Sequence, residues 1–210
     1  TAAVITDMNG EIQAVSSDIH DAYLSAQGDR TEQDPGKILT SVWNSVSGLP
    51  PNLLSQTTAV GVTGQMHGIV LLDNDLKPVS PLITWQDGRC LEEPHFLDSL
   101  ESRTGFRLSS GFGCATLAWM AAHGTLPEHA VCGCTVHDLI TARLCGLYRP
   151  VTDTTDAAGW GFFDISALKW NTDAAEEAGI DPVFLPEVVS PGTQAGTVDE
   201  KLSVKTGIPA

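Results

Sequence analysis

Apolar and polar positions recur along this chain with periods that separate strands from helices. Residues 2–5 and 12–15 are β-rich apolar runs joined through Asn9-Gly10. That pair readily takes the left-handed conformations of a tight hairpin, so the chain is predicted to open on two antiparallel strands. A polar stretch, Gln27-Gly28-Asp29-Arg30, leads to Asp34-Pro35, an N-cap followed by proline at the first helical position. Ile38, Leu39, Val42, Trp43 and Val46 then share one face at helical spacing, and Gly48-Leu49-Pro50-Pro51 ends the helix. Residues 59–63 read as a buried strand, interrupted by Gly64-Gln65-Met66-His67-Gly68. Strand character resumes over 69–72, turns at Asp73-Asn74-Asp75, and returns at Leu82-Ile83-Thr84. Beyond residue 90 the periods are helical, over 115–122, 136–145 and 173–178, and Pro182, Pro186 and Pro191 punctuate ordered loops. The interleaving predicts a mixed α/β domain with a helical insertion, and no internal repeat is present.

Composition narrows the partners. The 210 residues carry 26 acidic and 11 basic side chains, a formal net charge of −15. Nucleic acid and anionic membrane surfaces need a basic face, which this balance argues against. Hydrophobic residues are 42% and charged residues 18% of the chain, enough apolar material to bury a core. There is no apolar run of the roughly 18–20 residues that span a bilayer, and the first residues lack the basic start of a secretory signal. The five cysteines form no small disulfide framework, which points to a reducing, cytoplasmic location. An opening strand without a lead-in implies that the polypeptide continues upstream of Thr1.

Two segments carry candidate chemistry. In Gly61-Val62-Thr63-Gly64-Gln65-Met66-His67-Gly68, glycines at the end of an apolar run allow a sharp turn and a close approach by a ligand. Gln65 and His67 offer hydrogen bonds to hydroxyls and Met66 packs on a carbon skeleton. The same residues also read as a tight turn with a surface histidine. Trp85-Gln86-Asp87-Gly88-Arg89 again follows a strand. An indole beside an amide, a carboxylate and a guanidinium suits a sugar, although a Trp at the core edge with an Asp–Arg pair is an even alternative. His129, Cys132, Cys134 and His137 lie close in sequence, but Cys-Gly-Cys is too tight for ordinary zinc spacing, so no metal ligands are assigned. Gly111-Phe112-Gly113-Cys114-Ala115-Thr116 lacks the third glycine and the preceding strand of a dinucleotide loop and reads as a lead into a helix. Hydrolase-elbow and Walker-type motifs are absent.

Taken in order, residues 64–68, 84–90, 111–116, His137-Asp138 with Leu144-Cys145-Gly146, and 155–163 resemble the N-terminal domain of the FGGY carbohydrate kinases. The resemblance covers nearly the whole chain. Gln-Met-His-Gly is shared with the xylulokinase branch, whereas Trp-Gln-Asp-Gly-Arg-Cys, Gly-Phe-Gly-Cys-Ala-Thr and Trp-Gly-Phe-Phe are more similar to the sedoheptulokinase branch. It implies a ribonuclease H-like, actin-type α/β fold, with residues 1–210 forming most of the sugar-binding domain and lacking its first strand. It also implies phosphorylation of a small-molecule ketose, sedoheptulose or alternatively xylulose, with ATP and Mg2+ held by a second, C-terminal domain of the same polypeptide. A homodimer is left open, as is a sugar-binding domain that has lost catalysis. The residues matched to sugar contacts are Gln65, Met66, His67, Trp85, Asp87, Arg89, Phe112, Gly113 and Cys114, whereas Asp153 and Asp156 match positions read as structural. The phosphate-binding turn and the catalytic Asp of the family fall outside the 210 residues, so this chain alone is expected to show no ATP-dependent turnover above a blank.

Overall fold

The computed structural model describes residues 1–24 and 28–210; Gln27, which opens the polar stretch, lies outside them. β1 (Ala2–Thr6) and β2 (Ile12–Ser17) form the expected antiparallel hairpin, with Val4 opposite Val15. Asp7 Oδ1 closes its turn by accepting the N–H groups of Asn9 and Glu11 at 2.8 and 3.0 Å. After the short strand β3 (Glu32–Gln33), α1 (Pro35–Ser47) starts where the sequence places it, with Asp34 Oδ1 accepting from Gly36 and Lys37. Its most buried positions are Pro35, Ile38, Ser41 and Ser45 rather than Val42 and Trp43. Ser41 Oγ donates to the Asp18 carbonyl at 3.1 Å and Ser45 Oγ to that of Thr1 at 3.4 Å, so two small hydroxyls let the helix approach the hairpin closely.

The expected buried strand at 59–63 is corrected. These residues follow α2 (Pro51–Leu54) but belong to no strand, and Val60 is 44% exposed. Among the described residues, no backbone hydrogen bond joins 58–65 to a neighbour. An apolar, β-rich run signals a strand, but a ladder also needs a partner at hydrogen-bonding distance. Here the run instead forms one wall of a cleft of about 870 Å³, faced by the start of the later helix 136–145 and by residues 189–198.

The core is organised by β4 (Val70–Leu72), which is buried on both faces. Ile69 and Leu71 point into one cluster with Leu117, Trp160 and Phe162, while Val70 and Leu72 point into a second with Cys132, Cys134 and Leu139. This is the period-two alternation of a strand covered on both sides. β5 (Leu82–Ile83) pairs with β3, and β6 (Cys132–Cys134) runs antiparallel to β4. α3 (Phe96–Thr104) and α4 (Gly113–Ala122) pack on the first cluster, and α5 (Val136–Cys145) packs on the second. β7 (Val151–Asp153), α6 (Thr154–Ala157), β8 (Phe163–Asp164), β9 (Lys169–Trp170), α7 (Thr172–Glu177), β10 (Glu187–Val189) and α8 (Glu200–Thr206) complete the chain. β7 and β10 pair in parallel. β10 lies in a stretch read from its prolines as loop, because three residues are too few to show a period. No described helix is long and apolar enough to cross a membrane.

Candidate functional site

The loop between the unpaired run and β4 is held in an unusual conformation. His67 has a φ of 71°, in the left-handed region that few non-glycine residues occupy. Two contacts hold it there. Its Nδ1 donates to the Gly159 carbonyl, and its ring lies flat on Phe112, with centroids 4.8 Å apart and planes 4° from parallel. The Nδ1 bond leaves Nε2 available to a ligand hydroxyl. Gln65 Nε2 donates to Gln33 Oε1 at 3.2 Å, which orients its amide, and Met66 is 41% exposed beside the same turn.

Trp85, just past β5, is 52% exposed. Its loop is fixed from below. Ser110 Oγ donates to the Asp87 carbonyl at 2.7 Å, tying it to the segment that carries Phe112. Asp87 receives the Thr31 N–H at 2.8 Å and Arg89 Nε at 2.7 Å, and Arg89 Nη2 reaches Glu32 at 2.6 Å. The Asp87 and Arg89 side chains are 0% and 4% exposed. Against the expectation that Asp87 and Arg89 contact the sugar, the structure places both in a buried network whose polar atoms pair with one another and with Thr31 and Glu32. Gly113 and Cys114 also lie inside. A Cβ at Gly113 would come within 2.7 Å of the Trp160 indole, and the Cys114 thiol donates to the Gly161 carbonyl at 3.4 Å. Of the nine residues read as sugar contacts, Gln65, Met66, His67, Trp85 and Phe112 are at least partly exposed, with His67 stacked on Phe112, whereas Asp87, Arg89, Gly113 and Cys114 are buried.

Sequence reading missed Gln33 and Gly159, which orient Gln65 and His67 across long sequence separations. Gly159 sits in the segment 155–163 used for the resemblance, but a backbone carbonyl leaves no residue-type signal. Among the other candidates, His129 is exposed, whereas Cys132 and Cys134 are buried against Val70 and Leu72. His137 sits instead with Asp138 and Asp156, its Nε2 3.2 Å from Asp156 Oδ2. Burial pushes the Asp138 carboxyl up to about 6. Burial alone would lower His137, but its bond to Asp156 carries it upward. Asp153 caps α6.

The cysteines have graded accessibility. Burial pushes the Cys90 thiol up to about 11 and also raises the fully buried Cys114 and Cys134, whereas Cys145 is only half-buried. Iodoacetamide at pH 8 is therefore expected to alkylate Cys145 first in the folded chain, as read by peptide mass spectrometry. Equally fast labelling of Cys114 would show that the start of α4 opens readily.

The whole chain, residues 1–210, matches the FGGY family of carbohydrate kinases, N-terminal domain, and the protein belongs to that family. Human sedoheptulokinase is 35% identical over 196 residues, covering 85% of this chain and 40% of that protein. A xylulose kinase of Streptomyces rubiginosus is 34% identical over 151 residues, 68% of this chain and 31% of the relative. The chain thus spans less than half the length of the relatives it matches. Among solved structures, a xyloylose kinase from Brucella ovis superposes with a TM-score of 0.88 at 24% identity, over 100% of this chain and 44% of its own. The fold is therefore that of the FGGY sugar kinases, consistent with an actin-like ATPase architecture.

Proposed function

We propose that this chain provides the ketose-binding side of an ATP-dependent sugar kinase, with sedoheptulose as the substrate and sedoheptulose 7-phosphate as the product. The observation that carries the reading is the left-handed His67, stacked on Phe112 and anchored to Gly159, beside Gln65, Met66 and the open indole of Trp85. Such a surface suits a polyol. The indole covers C–H groups, while His67 Nε2 and the amide oxygen of Gln65 accept hydrogen bonds from hydroxyls. In the reaction, the terminal ketose oxygen forms a bond to the γ-phosphorus of MgATP as the β,γ-bridging P–O bond breaks, and the hydroxyl proton passes to a base. Asp87 is not that base, because Arg89 and the Thr31 N–H occupy its oxygens. The role of these residues is to bind and orient the sugar.

Xylulose is the second reading, favoured by the Gln-Met-His-Gly element and by the Streptomyces relative. Both ketoses present the same keto end and differ in length, so affinity decides between them. Calorimetric titration with each ketose is expected to show tighter binding of sedoheptulose, and Trp85→Ala is expected to weaken it roughly tenfold, the equivalent of about 1.4 kcal/mol. A clear preference for xylulose would replace the substrate. No binding of either would remove the reading.

A further inference from the structure

Among the described residues, the sugar surface leaves a buried cluster unused. His137 and Asp138 begin α5 and Asp156 lies in α6, and one ligating atom from each falls within 4.8 Å of the others. His137 Nε2 stands 3.2 Å from Asp156 Oδ2 and 3.9 Å from Asp138 Oδ1. The three side chains are 13%, 6% and 4% exposed for His137, Asp138 and Asp156. Asp156 meets His137 through Oδ2, and its other oxygen, Oδ1, is buried with no hydrogen-bond partner among the described residues. An acceptor left bare in this way is costly, and a single imidazole cannot balance two buried carboxylates.

We propose that His137, Asp138 and Asp156 form a binding site for a divalent transition-metal ion, with zinc as the natural occupant, which ties α5 and α6 to the loop that carries His67. Zinc–nitrogen and zinc–oxygen bonds of about 2.0–2.2 Å place tetrahedral ligands about 3.3 Å apart, which the 3.2 Å His137–Asp156 contact matches, whereas Asp138 at 3.9 Å from His137 has to move inward. The outer contacts of a metal site are also present. Thr135 Oγ1 lies 3.3 Å from His137 Nδ1 and 3.4 Å from its Nε2, the Thr135 N–H reaches Asp138 Oδ2 at 3.3 Å, and Thr152 Oγ1 donates to Asp156 Oδ2 at 3.2 Å. His137 and Asp138 line the 870 Å³ cleft. Gly64 rests against the His137 ring, so an ion here would brace the base of the sugar loop. The imidazole favours zinc over magnesium, which prefers oxygen ligands.

The test loads the protein with Zn2+, dialyses it against metal-free buffer and measures the metal by mass spectrometry. About one zinc per chain should remain. The thermal midpoint should rise by about 5–10 °C at a hundredfold excess of Zn2+ over its Kd, and Mg2+ should not reproduce this. His137→Gln and Asp156→Asn should lose the ion, and Cys132→Ser with Cys134→Ser should retain it. X-ray absorption at the zinc edge should show a nitrogen and oxygen shell. Substoichiometric zinc in the unaltered protein overturns the proposal and leaves a hydrogen-bonded His–Asp cluster. Sulfur in the shell, or zinc retained by Asp156→Asn, overturns it in favour of the thiols or an adventitious surface site. The absorption measurement needs no variant, so a folding failure does not shelter the proposal.

Discussion

Arg89→Ala is expected to destabilise the protein by about 3–5 kcal/mol, the largest effect of any single substitution considered. The guanidinium binds Asp87 through Nε at 2.7 Å and Nη2 at 3.1 Å and Glu32 through Nη2 at 2.6 Å, and it lies 5.7 Å from the centre of the Trp119 ring. Truncation leaves Asp87, which is 1% exposed, with backbone N–H donors and only the more distant Arg30 as a countercharge among the described residues. Most of the cost is that stranded charge rather than the net worth of the pair. Two controls separate the terms. Arg89→Lys keeps the charge but loses the fork and should recover only part of the stability. Asp87→Asn combined with Arg89→Met removes both charges and should cost less than Arg89→Ala alone. Denaturant midpoints at constant m-value measure each. A wild-type midpoint for Arg89→Ala would mean that water reaches Asp87 and that the network is not a support for Trp85.

Gly159→Ala is expected to separate binding from stability, weakening ketose affinity by about 10- to 100-fold, or about 1.4–2.8 kcal/mol, while the unfolding free energy changes by less than about 1 kcal/mol. A Cβ at Gly159 would lie 2.8 Å from His67 ring atoms and 3.0 Å from Met66 Cε. Both neighbours are ends of side chains on a partly exposed loop, so they can move aside at little cost to the core. Moving them turns the His67 ring off Phe112 and breaks its bond to the Gly159 carbonyl. Those two contacts are what hold His67 in its left-handed conformation, and a displacement of about 1 Å in a positioning residue is enough to disturb ligand geometry. Titration of the variant with sedoheptulose, beside its thermal unfolding, reads both quantities. Unchanged affinity would show that the loop finds its sugar-binding form without Gly159.

How far the sequence reached depended on the range of the interaction concerned. The hairpin and α1 rest on Asn9-Gly10, Asp34-Pro35 and Gly48, whose signals act over a few residues, and the structure agrees with each. The helix expected over 136–145 is found at those residues, and its Thr135 and Asp138 form a capping box, again a signal of a few residues' range. Residues 59–63 carry an equally clear strand signal, but strand pairing depends on a distant neighbour, and the run lines a cleft instead. Trp85-Gln86-Asp87-Gly88-Arg89 illustrates the same limit within one motif. Its residue types suit a sugar site and suit a buried ion pair equally, and only packing shows that the indole is open while the charges are closed in.

The sequence by itself determined the mixed α/β character, the local turns and caps, the apolar positions available for a core, and membership in the FGGY family. Each of these is written in short-range propensity or in ordered motifs. The tertiary structure decided which polar residues remain available, because availability depends on the partners brought in from far along the chain. It gave His67 its anchor at Gly159 and Asp87 its partner in Arg89. It also placed His137 beside Asp156, a pairing that no local spacing encodes, since it requires α5 and α6 to pack with their first turns together.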